Sequence, residues 1–402
     1  MKQEITEQLA DRLVERIEET NAYIYKKIGN VIKTISTLKP SDAYQLSQIL
    51  KYGGSYEEIA RELAKASGKN VQEIYRIFDE VAKNNKQFAK DFYEFRGVQY
   101  VPYSQDIALQ QQVKSLATLT ANTYINIANT KGIGFLFKDL NGQMTFKNIQ
   151  QSYYEIIDRG ILSISQGKET FDTEMRKIMK QLGHNGVVLY DNGRTRRLDS
   201  SLRMNLLDGI RLLNQETTKR FGQEYDADGI EISVHSNPAP DHADIQGRQF
   251  RIEEYEKLEN GQWAKDVNGI EYNGAEKRHI GEYNCYHDIF NIVIGVSKPE
   301  YTEEQLKKIQ EDNEKGFMYE GKHYTMYEGT QLQRRIELEI RKQKDTQILA
   351  RAGGKDFEDL AIESEKKIRQ LTSKYNELCK TSGLLPKKQR MSVSGYRRMS
   401  IK

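Results

Sequence analysis

The sequence contains few of the residues that stabilise secreted or extended proteins. Cysteine occurs only twice in 402 residues, as Cys285 and Cys379, and a disulfide framework would need more cysteines at closer spacing. Proline occurs six times, so long proline-rich linkers are absent. The scarcity of cysteine favours a reducing cytoplasm as the compartment in which the chain folds.

The sequence also lacks the segments expected of membrane, secreted or nucleotide-binding proteins. No apolar run approaches the ~20 residues needed to cross a bilayer, and acidic residues interrupt the N-terminal segment where a signal peptide would be apolar. The glycine-containing loops at 132–134 and 353–354 have neither the lysine nor the spacing of a phosphate-binding loop. We therefore expect neither a membrane partner nor a bound nucleotide.

Net charge is small, so any affinity for DNA must come from local patches. The 61 basic and 58 acidic side chains leave a formal charge of +3. One patch is a predicted hairpin that carries Arg194, Arg196 and Arg197. The second is a tail over 387–402, predicted to be flexible, which contains no acid. Its cations include Lys387, Lys388, Arg390, Arg397 and Arg398. Contact with DNA phosphates and plain solvated charge are the two interpretations.

What the sequence has in quantity is amphipathic helix, with 37% hydrophobic and 30% charged residues. Isoleucines and leucines at spacings of three, four and seven, including Ile17 and Ile24, predict a helix over 3–35. Its apolar stripe must be covered by the next helices or by another subunit. Similar long helices are predicted over 331–352 and 356–381, and we expect part of these stripes to face a partner.

Residues 55–84 admit a helix-turn-helix interpretation. Ser55 and Glu58 form a capping-box pattern, and Gly68 separates two short amphipathic segments. The second segment is rich in acidic residues and lacks the basic face needed for phosphate contact. A plain helical hairpin is therefore favoured over a DNA-binding regulator.

The succession of patterns predicts a predominantly helical α+β protein. Helices fill residues 1–185, whereas 186–300 combines a hairpin, a strong helix and an alternating strand into a small α+β module. Helices return over 301–386 as a hairpin, before the basic tail. The central module also holds four of the six histidines and one cysteine, so a chemical site is expected there.

Two stretches of the module carry ordered short motifs, DADGIEISVHSNPAPDHADIQGRQF at 226–250 and GEYNCYHDIFNIVIGVS at 281–297. In these motifs the chain resembles the phage minor capsid protein 2 family, which is related to Mu F-like head morphogenesis proteins. The resemblance extends to the hairpin upstream and covers most of the chain. The matching residues are Arg194, Asp199, Arg203, Asp228, Glu231, Asp241, Gln246, Gly247, Phe250 and Asn284. One departure is Asn-Cys-Tyr-His, where the family commonly has Asn-Cys-Arg-His.

The resemblance implies a structural virion protein and not an enzyme. Such a protein lies at the portal vertex and head interior, after a period in the host cytoplasm during assembly. Its implied partners are the portal protein, other capsid proteins and packaged double-stranded DNA. A role in head assembly, DNA packaging or ejection follows from the same resemblance.

His235, His242, Cys285 and His287 are metal-ligand types in two clusters, which could surround a zinc ion. No other cofactor is indicated. A hydrogen-bonded polar cluster that fixes the fold is the favoured alternative. A metal-dependent hydrolase or toxin-like enzyme remains a further alternative. So does a nucleophilic Cys285 with His235 or His287 as base, although no oxyanion-hole motif accompanies it. Both the metal site and the polar cluster require the four side chains to converge.

Overall fold

The computed structural model of the protein describes most of the chain. The described ranges are 3–38, 55–128, 132–139, 142–191, 194–281, 285 and 287–400. The motif residue Asn284 lies outside them, as do residues 43–51, for which capping residues at Ser41 and Asp42 predict a helix.

Within these ranges the chain forms ten α-helices, which confirms the predominantly helical α+β class. They are α1 (Gln3–Ser36), α2 (Ser55–Arg96), α3 (Ile107–Ala128), α4 (Ile149–Ser165), α5 (Lys168–Asn185), α6 (Leu198–Glu224), α7 (Ile252–Glu259), α8 (Glu303–Lys315), α9 (Met326–Gly353) and α10 (Glu358–Ser382). No helix among the described residues is both long enough and apolar enough to span a bilayer.

The strands form small antiparallel sheets. The strands are β1 (Ile133–Lys138), β2 (Met144–Asn148), β3 (Val188–Asp191), β4 (Arg194–Arg197), β5 (Gly229–Ile232), β6 (Gln249–Arg251), β7 (Trp263–Lys265), β8 (Glu271–Asn273), β9 (Ile289–Ile292), β10 (Phe317–Tyr319) and β11 (Lys322–Tyr324). A four-stranded sheet has the order β2-β1-β3-β4, and a three-stranded sheet has the order β6-β5-β9. β7 pairs with β8, and β10 pairs with β11.

The apolar stripe of α1 is covered by the chain itself. Ile17 and Ile24 are fully buried, and the helix contacts α9, α6, α2 and α4. A Cβ atom added at Gly29 would lie 2.3 Å from the Cβ of Ala352, so α1 and α9 approach closely there. Of the two alternatives for the cover of this stripe, helices of the same chain supply it at these two isoleucines, which are therefore not available to a partner.

Both interpretations of residues 55–84, the favoured helical hairpin and the helix-turn-helix, are wrong. Ser55–Arg96 is one continuous helix that passes through Gly68. A mid-helix glycine costs only about 1 kcal/mol relative to alanine. Leu63 and Ile74, one on each side of it, are both buried, and their packing offsets that cost.

The described residues form three hydrophobic cores, of which the smallest lies between α9 and α10 around Ile340 and Tyr375. The first and largest contains residues of all the helices from α1 through α6, of the C-terminal half of α9 and of the start of α10. The second contains Ile230, Phe250 and Tyr272 of the three-stranded sheet and its β7-β8 hairpin. Of the predicted module 186–300, the β3-β4 hairpin and α6 thus pack into the first core. The hairpin β1-β2 appears where helices were predicted.

The basic tail, for which the sequence predicts flexibility, lies against the C-terminal helices along its described length. Met391 is buried, and its carbonyl accepts a hydrogen bond of 2.7 Å from Lys344 Nζ. The hydroxyl of Tyr396 donates to Glu365 at 2.9 Å. Apolar packing and these bonds hold the tail against α9 and α10, which the count of basic residues could not indicate.

A buried ion cluster of Arg197, Asp199, Arg341 and Asp345 joins β4, α6 and α9. Arg197 bonds Asp345 at 2.8 Å and Asp199 at 3.2 Å, and Arg341 bonds Asp199 at 2.7 Å. The side chains of Asp199 and Asp345 are each 3% exposed. Although burial opposes ionisation, the two arginines hold the pKa of Asp199 well below its usual range.

Glu18 of α1 lies beside this ion cluster, and the charges of the cluster affect its pKa. Burial, aided by Asp199 and Asp345, raises the pKa of Glu18 to about 8. The folded state thus binds this proton more tightly than the unfolded state, and stability falls as pH rises between about 4.5 and 8. We expect Glu18→Gln to increase the free energy of unfolding by up to about 3 kcal/mol at pH 7 and not at pH 4.

Urea denaturation at the two pH values measures the effect. Glu15→Gln is the matched control, because Glu15 is exposed on the same helix. A gain that is equal at both pH values would contradict the assignment of the raised pKa to Glu18.

Candidate functional site

The three-stranded sheet brings the two ends of the His/Cys motifs together. β5 lies between β6 and β9, and Ile232 at the end of β5 pairs with Ile289 at the start of β9. The Ser233 amide donates to the carbonyl of Asp288 at 2.9 Å, which continues this pairing beyond the strands. His235, two residues after Ser233, therefore lies close to His287.

His242, Cys285 and His287 converge at this end of the sheet. One ligand atom from each lies within 4.8 Å of the others, and all three side chains are buried. Cys285 Sγ is 3.4 Å from His242 Nδ1 and 3.3 Å from His287 Nδ1. The His235 ring stands edge-on to the His287 ring, with centroids 4.7 Å apart, but it is not in this triplet. The predicted convergence is observed for three of the four residues, with His235 alongside.

Carbonyl oxygens hold the outer ring nitrogens of both triplet histidines. His242 Nε2 is 2.8 Å from the backbone carbonyl of Arg278, and His287 Nε2 is 3.2 Å from Gln246 Oε1. The same Oε1 accepts a 2.9 Å hydrogen bond from the His235 backbone amide. Both Nε2 atoms are therefore donors, and both Nδ1 atoms face the sulfur of Cys285.

The surroundings shift the pKa values of the triplet in different directions. Burial, with His235 and His242 nearby, lowers the pKa of His287 to about 2. Burial opposes ionisation of Cys285 and His242, but their mutual contact lowers the pKa of the thiol and raises the pKa of the imidazole. A histidine that stays neutral is a weak proton acceptor, which disfavours His287 as the base for a nucleophilic Cys285.

Most motif residues of the module support the fold around the triplet. Glu231 accepts hydrogen bonds from Gln249 Nε2 at 2.6 Å and from the Glu300 amide at 3.0 Å. Asp228 accepts a hydrogen bond of 2.8 Å from the backbone amide of Ile294, and Phe250 is fully buried in the second core.

Three matching residues lie away from the triplet. Asp199 belongs to the ion cluster, Arg194 is exposed on β4, and Arg203 lies on α6. Within the module, Asp241 is paired with Arg278 at 2.6 Å, so its carboxylate is already engaged.

A cleft of about 630 Å³ opens beside the triplet, between the central module and the C-terminal helices. Its polar lining includes His235, Asn237, Arg278, Arg334, Lys387 and Arg390. Arg278 and Arg334 were not predicted as site residues, because no spacing in the sequence connects them with the histidines. The docked tail is what brings Lys387 and Arg390 to this cleft.

The residues proposed for DNA contact divide into three groups. Lys387 and Arg390 are half-buried and line the cleft beside the triplet. Arg197 is only 11% exposed and bound to carboxylates, so its assignment to a DNA-binding surface is wrong. Arg196, Lys388, Arg397 and Arg398 are exposed. A second cleft, of about 310 Å³, gathers five arginines, and we call it the arginine cleft. They are Arg196, Arg203, Arg334, Arg341 and Arg390.

Gly247 lies between the loop that carries His242 and strand β6, and its lack of a side chain lets Leu306 and Val234 pack closely against the backbone. It has a φ of +70°, and an added Cβ would meet Leu306 at 2.6 Å and Val234 at 2.9 Å. Gly269 has a φ of +84° and open space around it. We expect Gly269→Ala to destabilise by about 1 kcal/mol through backbone strain alone. Gly247→Ala should lose about 1–3 kcal/mol more through overpacking, measured by urea denaturation. Equal losses would contradict the close packing at Gly247.

Comparison with known proteins agrees with the motifs. A family model described as Phage minor capsid protein 2 matches residues 1–380. No curated protein matches the chain, and no solved structure does. The family match contains both stretches of motifs, the triplet and the ion cluster. The chain therefore belongs to the phage minor capsid protein 2 family.

Proposed function

We propose that the protein is a structural component of the phage head, bound to the portal vertex and facing the head interior. The match to the minor capsid family over residues 1–380 carries this proposal. The portal protein and other capsid proteins are the proposed partners. Assembly would take place in the host cytoplasm, and the protein would act in head assembly, packaging or ejection without catalytic turnover.

An exposed aromatic stripe on α2 is the surface that we propose for contact with the portal. Phe88 and Phe95, two turns apart, are 68% and 63% exposed. Phe92 between them stacks on Tyr225 at 5.6 Å, which ties the stripe to the first core. Exposed aromatic groups on a rigid helix are typical of protein interfaces.

We expect Phe88→Ser with Phe95→Ser to lower the amount of protein in purified particles at least tenfold. Exposed substitutions seldom change stability by more than about 0.5 kcal/mol, so the fold should persist. Immunoblotting of particles complemented in trans measures the effect. Leu162→Ser with Val296→Ser is the matched control, because these residues are exposed apolar residues outside the stripe. Absence of the unaltered protein from particles would overturn the structural role itself.

A second candidate function is contact with packaged DNA, which the arginine cleft favours. The cleft gathers five arginines against three acids, Glu18, Asp199 and Glu337. Burial raises the pKa values of Glu18 and Glu337, so both carry less negative charge than exposed carboxylates. An excess of guanidinium groups in one concave surface suits phosphate oxygens.

Replacing Arg196 and Arg334 by Gln should weaken binding of the purified protein to double-stranded DNA. If each contacts one phosphate, the slope of log affinity against log salt should become shallower by about 2. Fluorescence anisotropy over a salt series measures this slope. Lys307→Gln with Lys308→Gln removes two exposed charges from α8 as a control. An equal change in both double variants would mean that the arginine cleft has no special part in DNA contact.

A further inference from the structure

We propose that His242 Nδ1, Cys285 Sγ and His287 Nδ1 bind one Zn²⁺ ion, whose fourth position opens into the 630 Å³ cleft. The three residues come from the loop after β5 and the segment before β9. A bound ion would connect positions 43 residues apart along the chain. This inference does not depend on the proposed virion role.

The outer contacts of the histidines fix which nitrogen is available. The carbonyl of Arg278 and Oε1 of Gln246 are acceptors, so each Nε2 carries its hydrogen outwards. The orientation of the Gln246 amide is set independently, because its Oε1 also accepts from the His235 amide. A histidine that donates its outer N–H to a carbonyl is the usual arrangement around a bound metal.

A count of hydrogens at the sulfur shows that the neutral triplet is incompletely satisfied. Two Nδ1 lone pairs face Cys285 Sγ, at 3.4 Å and 3.3 Å, and a thiol has one hydrogen to donate. One buried acceptor therefore lacks a donor from the thiol. A metal ion replaces the thiol hydrogen and accepts both lone pairs at once, which releases one proton.

The ligand set and its spacing favour zinc. With bonds of about 2.3 Å to sulfur and 2.0–2.1 Å to nitrogen, tetrahedral zinc separates sulfur and nitrogen by about 3.6 Å. The two observed Sγ–Nδ1 distances are 0.2–0.3 Å shorter and need only a small expansion. One thiolate and two imidazoles suit zinc better than magnesium or calcium, which prefer oxygen.

The cleft determines the fourth ligand. His235 lines it beside His287 but lies outside the triplet, and Asp241 is paired with Arg278. The described residues thus offer no fourth ligand, so we assign this position to water, and three protein ligands with one solvent position form an open site. Arg278 and Lys387 line the same cleft, so small anions should compete with that water.

The test is metal analysis of the full-length protein after chelation, reloading with Zn²⁺ and removal of excess metal. We expect about one zinc per chain in the unaltered protein and at least a tenfold loss in Cys285→Ser. Cys379→Ser is the matched control, because it removes a buried thiol that bonds Gln333 on the C-terminal helices. His235→Ala should also keep its zinc. Circular dichroism verifies that each variant retains its helical content.

Cobalt provides a readout that needs no variant. Co²⁺ loaded into the unaltered protein should show the sulfur-to-cobalt charge-transfer band and the intense visible absorption of a four-coordinate site. Absence of zinc and of this band from the folded protein would overturn the proposal. Retention of zinc by a folded Cys285→Ser variant would overturn it as well. Loss of zinc from a folded His235→Ala variant would contradict the water ligand, because it would identify His235 as the fourth ligand.

Discussion

The ion cluster of Arg197, Asp199, Arg341 and Asp345 is the constraint on which the arrangement of the chain depends. It connects β4, the first turn of α6 and the middle of α9 beneath α1. Removing one partner of a buried ion pair strongly destabilises the folded state, because the remaining charge is compensated neither by a counter-ion nor by water. β4 and α6 must therefore meet α9 in one register, which positions the start of the central part of the chain against the C-terminal helices.

The sequence predicts the helices well where the apolar period is long, and less well where tertiary packing decides. The isoleucine spacing of α1 indicates its helix, but only the structure shows that α9 covers it. Gly68 looked like a break because glycine is a poor helix former, yet burial on both sides keeps α2 continuous. The strand at 133–138 was missed because Gly132 and Gly134 masked the alternation of Ile133, Phe135 and Phe137.

The candidate site shows the same division. Residue types and the family motifs indicate that His242, Cys285 and His287 belong together, and the β5-β9 pairing explains how they meet. Arg278, which supplies a carbonyl to His242, lies in a segment without a motif, so sequence alone could not assign it. Arg197 shows the opposite error, because the sequence assigned it to a DNA-binding surface and the structure buries it. Its basic hairpin suggested a solvent-exposed position, but Asp345, which is distant in the sequence, pairs with it in the folded chain.

The close approach of α1 to α9 at Gly29 and Ala352 has a consequence for synthesis on the ribosome. About 320 residues must be translated between the end of α1 and the end of α9, which takes roughly 15–60 s at 5–20 residues per second. During that interval the isoleucines of α1 lack one of the surfaces that finally cover them. The nascent chain is then most exposed to aggregation, and its folding is coupled to the completion of translation.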